Sequence, residues 1–470
     1  MPFIKSISGF RGTIGGEKGS NLTPHDIVES AGAYGAWILK YTANKKAKIV
    51  IGRDARPSGS MVSQLVVNTL LALGIDVVDI GLSTTPTVEM AVTAENADGG
   101  IILTASHNPR DWNALKLLNS KGEFISAQDG EAVLAIAAEG KIKYADVDHL
   151  GSYSEKATYI DYHIEKVLAL PLVDVELVRS KNFKVVLDPV NSTGAISVLP
   201  LLIRLGCQVT IINGEMNGQF AHNPEPLPEN LIQLAHKVKE INAHIGIAVD
   251  PDVDRLAFVC EDGEMFGEEY TLVAVSDYIL QNTPGNTVSN LSSTRALRDV
   301  TEKYNVIYTA SAVGEVNVVE KMKETNAVIG GEGNGGVIYP ALHYGRDALV
   351  GVALMLTYLA KFGKSLSYLR SGYPHYIISK NKLNLPANAN ADAVLKSLYD
   401  KYSRTRHCSC NTLDGLKLEF ADSNWIHIRK SNTEPIIRVY AESNSSVTAN
   451  NLINKIFQDV HEILNAPKEE

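Results

Sequence analysis

The sequence predicts an α/β protein of several domains that ends in a smaller α+β layer, and three observations predict it. At 470 residues the chain exceeds the roughly 250 to 300 residues at which a single hydrophobic core stops growing, so two to four domains are expected. Apolar, β-branched runs alternate with helix-period segments over most of the length, the pattern of βαβ units and parallel sheets. After about residue 372 the alternation gives way to one helix, a set of alternating strands and a terminal helix, which is an α+β arrangement.

Each block follows from its own signals. Thr23 and Pro24 offer a cap and a first-turn proline to a helix over 26–41. Strands at 48–51, 76–80 and 99–104 follow, with an apolar helix over 61–73 between the first two. A second block repeats the scheme with strand 184–187, helix 195–205, strand 208–212, helix 227–241 and strand 245–249. The third carries strands 257–260, 287–291, 306–308 and 327–329 among helices 268–280, 295–304, 315–325 and 347–362. The last block reads as helix 391–402, strands 417–420, 425–430 and 436–441, and a helix from 447. The repetition is one of architecture rather than of residues. Domains are drawn at 1–150, 151–255, 256–372 and 373–470.

Bulk properties exclude several function classes. A composition of 45% hydrophobic and 21% charged residues is that of a soluble globular protein, and no run of about 18 apolar residues could span a bilayer. A net charge of −9 argues against a nucleic-acid binder, whose basic face would displace counterions from phosphates. Small anions stay within reach, because a few cations focused in one cleft suffice whatever the total charge. The N-terminus lacks the apolar stretch of a signal peptide, and four unpatterned cysteines fit a reducing, cytoplasmic compartment. His407-Cys408-Ser409-Cys410 has the wrong spacing for zinc and no second ligand pair.

Four loops carry the chemistry. Thr104-Ala105-Ser106-His107-Asn108-Pro109 sets a hydroxyl directly after an apolar strand. His107 stands among the catalytic candidates, yet in an extended segment its side chain would point away from Ser106, so it is no ready base and a hydrolase triad is disfavoured. Lys116, ten residues on, is a candidate for charge stabilisation or proton transfer.

Asp250, Asp252 and Asp254 alternate along one turn and suit a hard cation taking oxygen ligands. A calcium loop is rejected, because Arg255 stands where its glycine belongs and both flanks read as strands. Gly331-Glu332-Gly333-Asn334-Gly335-Gly336 matches a dinucleotide fingerprint in letters alone. Val337-Ile338-Tyr339-Pro340 cannot open the helix such a site needs. The glycines instead let the backbone approach a ligand whose hydroxyls Glu332 and Asn334 could bond. Arg429, Ser431, Asn432 and Thr433, read as a loop between two strands, can converge on a dianion.

In this order and spacing the four motifs resemble those of the α-D-phosphohexomutase family, which includes phosphoglucosamine mutases, phosphomannomutases and phosphoglucomutases, over essentially the whole chain. The resemblance implies three related α/β mixed-sheet domains and a smaller C-terminal α+β domain around a central active-site cleft. It implies a phosphoserine at Ser106 and Mg2+ held by that phosphate with Asp250, Asp252 and Asp254. It further implies transfer between C6 and C1 of a hexose phosphate through a sugar 1,6-bisphosphate, which also serves as activator. By the same carry-over Arg11, Lys116 and Arg255 neutralise charge, Glu332 and Asn334 hold the sugar, and Arg429, Ser431, Asn432 and Thr433 hold the unreactive phosphate.

One position departs from the pattern: Gly336 stands where members often have histidine, so proton transfer falls to His343, Lys116 or water. A small phosphosugar is the expected partner, with no nucleic acid or membrane, for a monomer or homodimer. Glucosamine phosphate is the leading substrate, ahead of mannose and glucose phosphates. A magnesium-dependent sugar phosphatase and a non-catalytic sugar-phosphate binder are the rival classes.

Overall fold

The computed structural model describes residues 3–6, 9–42, 46–386, 389–430 and 436–465, and these form four sheets. The first has strand order Ile4–Ser6, Gly9–Thr13, Trp112–Leu118, Gly99–Leu103, Lys48–Arg53, Asp76–Leu82, Tyr153–Glu155. Lys48–Arg53 pairs in parallel with both of its neighbours, whereas Trp112–Leu118 runs antiparallel beside Gly99–Leu103, so the sheet is mixed. Ile49 and Ile51 pack under the helices Pro24–Tyr41 and Gly59–Ala72 on one face, and Val50 packs under Thr85–Ala94 on the other. Burial of both faces is why Lys48–Arg53 reads as a continuous apolar run.

The second sheet is ordered Leu256–Cys260, Ile245–Val249, Lys184–Asp188, Gln208–Ile211. The third is ordered Tyr308–Ser311, Thr287–Asn290, Ile329–Glu332, Gly336–Ile338. One hydrophobic core joins these two units, running from Ile164 to Tyr373. Its axis is helix Ala348–Phe362, buried nearly all round, which is why that segment is apolar without a polar stripe. The fourth sheet, Ile377–Asn384, Ile436–Ser443, Trp425–Lys430, Leu416–Phe420, Cys408–Asn411, is wholly antiparallel and has its own core under helices Ala391–Tyr402 and Ser446–Asn465. None of the described helices is long and apolar enough to cross a membrane.

The C-terminal unit docks on the third through polar contacts. Lys417 Nζ donates to the Leu291 carbonyl at 2.8 Å, Arg298 meets Glu419 at 2.8 Å, and the Val313 N–H donates to Asp414 at 2.9 Å. Ser292 Oγ lies 2.8 Å from His427 Nδ1, and the Arg295 N–H donates to Glu442 at 3.0 Å.

The structure revises several expectations. Strand Leu256–Cys260 pairs antiparallel with Ile245–Val249, so a boundary at 255 would cut a hairpin of the second sheet. Likewise Tyr153–Glu155 closes the edge of the first sheet, beyond 150. The strand expected at 306–308 is Tyr308–Ser311, and that expected at 327–329 is Ile329–Glu332. The helix expected over 227–241 splits into a turn of 3-10 helix, Pro228–Asn230, and helix Ile232–Glu240.

Candidate active site

Functional side chains gather where strands of the first three sheets end. In open α/β sheets the carboxyl ends of the strands frame the ligand crevice. Ser106 follows Gly99–Leu103, the acidic turn follows Ile245–Val249, and Glu332 ends Ile329–Glu332.

Ser106 is nearly buried and adopts a left-handed backbone, φ +49°. Its Oγ donates to Asp250 Oδ2 at 2.7 Å, across 144 residues of sequence. The left-handed turn also brings His107 Nδ1 to 3.4 Å from Ser106 Oγ, which corrects the expectation that the two side chains diverge: the segment is not extended. Burial, reinforced by Arg255, holds the His107 imidazole well below its ordinary pKa and therefore neutral.

Sequence reasoning missed the residue that fixes this loop. Arg56 is 1% exposed and donates through Nε to Asp54 at 2.9 Å. Its Nη1 donates to the carbonyls of Pro109 at 2.5 Å and Trp112 at 3.1 Å, and its Nη2 to those of Asn108 at 2.8 Å and Ser106. A guanidinium has five N–H groups, and all five find an acceptor. Thr104 Oγ1 completes the arrangement by donating to Asp54 at 2.7 Å. The available signal was Asp54 and Arg56 directly beyond the apolar strand, at its ligand-facing end.

The acidic turn is itself constrained. Val253, between two of the carboxylates, has φ +63°, a strained conformation for a β-branched residue that costs about 1–3 kcal/mol. Asp250 Oδ1 offsets this by accepting the N–H groups of Asp254 and Arg255 at 3.2 and 3.1 Å. Helix Thr85–Ala94 docks on the turn from the first domain: Thr85 Oγ1 donates to Asp252 Oδ2 at 2.6 Å. Lys116, in strand Trp112–Leu118, reaches Asp252 Oδ2 at 2.7 Å and Asp254 Oδ2 at 3.5 Å. Arg255 pairs with Glu225 at 3.0 Å.

These contacts divide the oxygens sharply. Asp252 Oδ1 and Asp254 Oδ1 are buried with no hydrogen-bond partner, Arg255 Nε standing 4.0 Å from the latter, and Asp250 Oδ2 accepts from Ser106 Oγ. The connected cluster counts six carboxylates, Asp250, Asp252, Asp254, Glu225, Glu315 and Glu332, against the three cations Lys116, Arg255 and Arg346. Burial, followed by repulsion from Asp252 and Asp254, pushes Asp250 well above the usual carboxylate range. At Asp252 burial acts the same way, but Lys116 overrides it and holds the group low. Orphaned oxygens and surplus negative charge both fit a divalent cation, which would keep all three aspartates ionised.

The other expected residues are placed as follows. Glu332 is 5% exposed and accepts from Asn290 Nδ2 at 2.7 Å, the Gly314 N–H at 3.2 Å and Arg346 Nη1 at 2.8 Å. Asn334 Oδ1 accepts the Gly336 N–H at 3.2 Å. Gly336 opens a strand antiparallel to Ile329–Glu332, so the glycine turn is a hairpin. Arg11 is exposed on Gly9–Thr13, close enough to Arg438 for their like charges to interact; sequence reasoning overlooked Arg438. Arg429 lies within strand Trp425–Lys430 rather than in a loop, 2.8 Å from Asp414. Ser431, Asn432 and Thr433 fall outside the described residues.

Neither proton source suggested for the missing histidine is poised to release a proton. Burial would lower Lys116, but Asp252 and Asp254 raise it. His343 Nε2 lies 3.2 Å from Asp347 Oδ2 and Nδ1 3.3 Å from Glu89, while His163 Nε2 meets the same Asp347 oxygen at 2.8 Å. Burial is outweighed by these carboxylates, and His343 is pushed up to about 10 from 6.5. A raised folded-state pKa stabilises the fold fully below the unfolded value and loses that effect as pH rises through the folded one. The stability difference between wild type and His343→Gln in urea should therefore shrink as pH rises from about 6.5 towards 10. A difference that does not vary with pH would contradict this assignment.

The fold and the clustered turns define a phosphohexomutase architecture. Models of the phosphoglucomutase/phosphomannomutase domains match along the chain: α/β/α domain I at 4–143, domain II at 158–263, domain III at 267–376 and the C-terminal domain at 382–458. A phosphoglucosamine/phosphogalactosamine mutase of Sulfurisphaera tokodaii is 33% identical over 97% of this chain and 98% of its own. A phosphoglucomutase/phosphomannomutase of Thermococcus kodakarensis is also 33% identical, over 93% and 95%. The crystal structure of a phosphoglucomutase/phosphomannomutase family protein from Burkholderia thailandensis superposes with a TM-score of 0.84 at 26% identity, covering 99% and 98%. The chain belongs to the phosphoglucomutase/phosphomannomutase family, and is thus an isomerase of the phosphohexomutase type.

Proposed function

We propose that this enzyme interconverts the 6- and 1-phosphates of a hexosamine, glucosamine phosphate first among them, with Ser106 as phosphoryl carrier. The observation that supports this most is Ser106 Oγ at 2.7 Å from Asp250, beside two aspartate oxygens without partners. A sugar hydroxyl attacks the phosphoryl group on Ser106. The bond from phosphorus to Ser106 Oγ breaks, and the proton of the attacking hydroxyl ends on Ser106 Oγ. His107, neutral and 3.4 Å away, is the base within reach. The sugar bisphosphate then turns in the cleft and returns its other phosphoryl group to Ser106.

Asp250, Asp252 and Asp254 would hold magnesium, whose chemistry when bound is to neutralise charge on the transferring group. Lys116 offsets charge at Asp252 and Asp254, Arg255 pairs with Glu225 beside the turn, Arg11 and Arg429 supply positive charge to the phosphates, and Ser431, Asn432 and Thr433 offer donors to the phosphate that does not react. Glu332 and Asn334 face the sugar. A covalent carrier also keeps the group from being lost to water. The four cysteines are all free, in keeping with a reducing cytoplasm.

Comparison of kcat/KM for glucosamine-6-phosphate, mannose-1-phosphate and glucose-1-phosphate, with a hexose 1,6-bisphosphate as activator, tests the reading. Isomerisation without net phosphate release is expected, fastest by about tenfold or more for the amino sugar, a preference of ~1.4 kcal/mol. Preference for mannose or glucose phosphate would overturn the substrate; stoichiometric release of inorganic phosphate would overturn the carrier mechanism.

A further inference from the structure

Arg346 is the side chain that touches both the acidic turn and the sugar-facing hairpin. It is 8% exposed and directs each nitrogen of its guanidinium at a different carboxylate. Nη2 reaches Asp254 Oδ2 at 2.6 Å, Nη1 reaches Glu332 Oε2 at 2.8 Å, and Nε reaches Glu315 Oε2 at 3.0 Å. Glu315 also accepts the Arg346 N–H at 2.9 Å, which anchors the residue at its base. A lysine, a point charge without a planar fork, could not make these three contacts at once.

Two further observations give the arrangement a purpose. The terminal torsion of an aspartate is broad and twofold, so nothing intrinsic decides which oxygen faces a ligand. At Asp254 the 2.6 Å contact takes Oδ2, Lys116 only supports it at 3.5 Å, and Oδ1 is left buried without a hydrogen bond, Arg255 Nε standing 4.0 Å away. The stem of Arg346 also fills the space a side chain at 336 would need. A Cβ on Gly336 would lie 2.3 Å from Arg346 Cδ and 3.0 Å from Cγ. Asn334 Oδ1 would stand 3.1 Å away as well; Gly336 is not in the left-handed region, so its lack of a side chain answers to these neighbours, Arg346 first, and not to its backbone.

We infer that Arg346 is a positioning residue of the cation turn: it fixes Asp254 with Oδ1 towards the cation, ties that orientation to Glu332, and requires glycine at 336. A side chain at 336 is thus incompatible with Arg346 as placed. The inference concerns how the turn binds a cation and stands whichever hexose phosphate is the substrate.

The test is Mn2+ binding to the whole, metal-free protein, followed by electron paramagnetic resonance, with no substrate present. Residues that orient metal ligands typically alter affinity by about 10–100-fold. Arg346→Gln is expected to weaken Mn2+ binding about tenfold or more. Gly336→Ala, which keeps every charge but displaces the arginine stem, should weaken it in the same direction. Arg346→Lys should fail to restore it. Mn2+ affinities within twofold of wild type in Arg346→Gln, or in Gly336→Ala should the former not fold, would overturn the inference; a lowered thermal midpoint with intact binding would mark Arg346 as structural only.

Discussion

Ser106→Ala is expected to lose phosphohexomutase turnover by at least about 10⁴-fold, the scale on which removing a covalent carrier acts. Incubated with a hexose 1,6-bisphosphate, wild-type chains should gain one phosphoryl group by intact mass, and the variant none. The fold should survive, because alanine meets the same left-handed backbone that serine already tolerates and loses one hydrogen bond to Asp250, about 1 kcal/mol. A variant that still takes up phosphate, or that turns over within tenfold of wild type, would remove Ser106 from the reaction.

Arg56→Met should produce the largest loss of stability among single changes near the site. It leaves Asp54, already pushed up by burial and offset by Arg56, as a buried carboxylate without its ion pair, and breaking such a pair costs about 3–5 kcal/mol. It also releases four carbonyls of the loop 106–112 at once. The thermal midpoint should fall by several degrees, and the fraction of Ser106 that accepts a phosphoryl group should fall with it, because the carrier loses its frame. An unchanged midpoint would show that the carbonyls and Asp54 find other partners. A lower midpoint with normal phosphorylation would show that the loop holds its shape without the clamp.

The two predictions differ in how visible their residues are from sequence. Ser106 and the three aspartates stand in short, unusual runs, and a chain reader sees them as such. Arg56 reaches loop carbonyls 50 to 56 residues on and Arg346 reaches carboxylates 14 to 92 residues back, and their meaning lies in what folding brings opposite them. The only local trace of Arg346 is a charged pair, Arg346-Asp347, directly before a helix buried nearly all round. Elements followed the same logic. Helix Thr85–Ala94 lacks an amphipathic stripe because both of its faces are covered. Strand Trp112–Leu118 was hidden by two polar residues, Asn113, which bonds Ser58, and Lys116, which reaches the acidic turn. Ile377–Asn384, half polar, lies at the edge of its sheet, where a strong apolar pattern would invite association. The left-handed turn at Ser106 could not be read either, and it reversed the geometry expected of His107.

The seam between the last two units has a consequence for traffic through the cleft. Lys417, Arg298, Asp414, Glu442 and His427 make it with hydrogen bonds and charge pairs, which solvent can replace one for one. The last unit has a core of its own, separate from the one the middle units share, so parting at the seam would leave both interiors whole. Movement of the C-terminal unit relative to the rest is the expectation a polar seam of this kind carries, and such movement would widen the way in for a highly charged sugar.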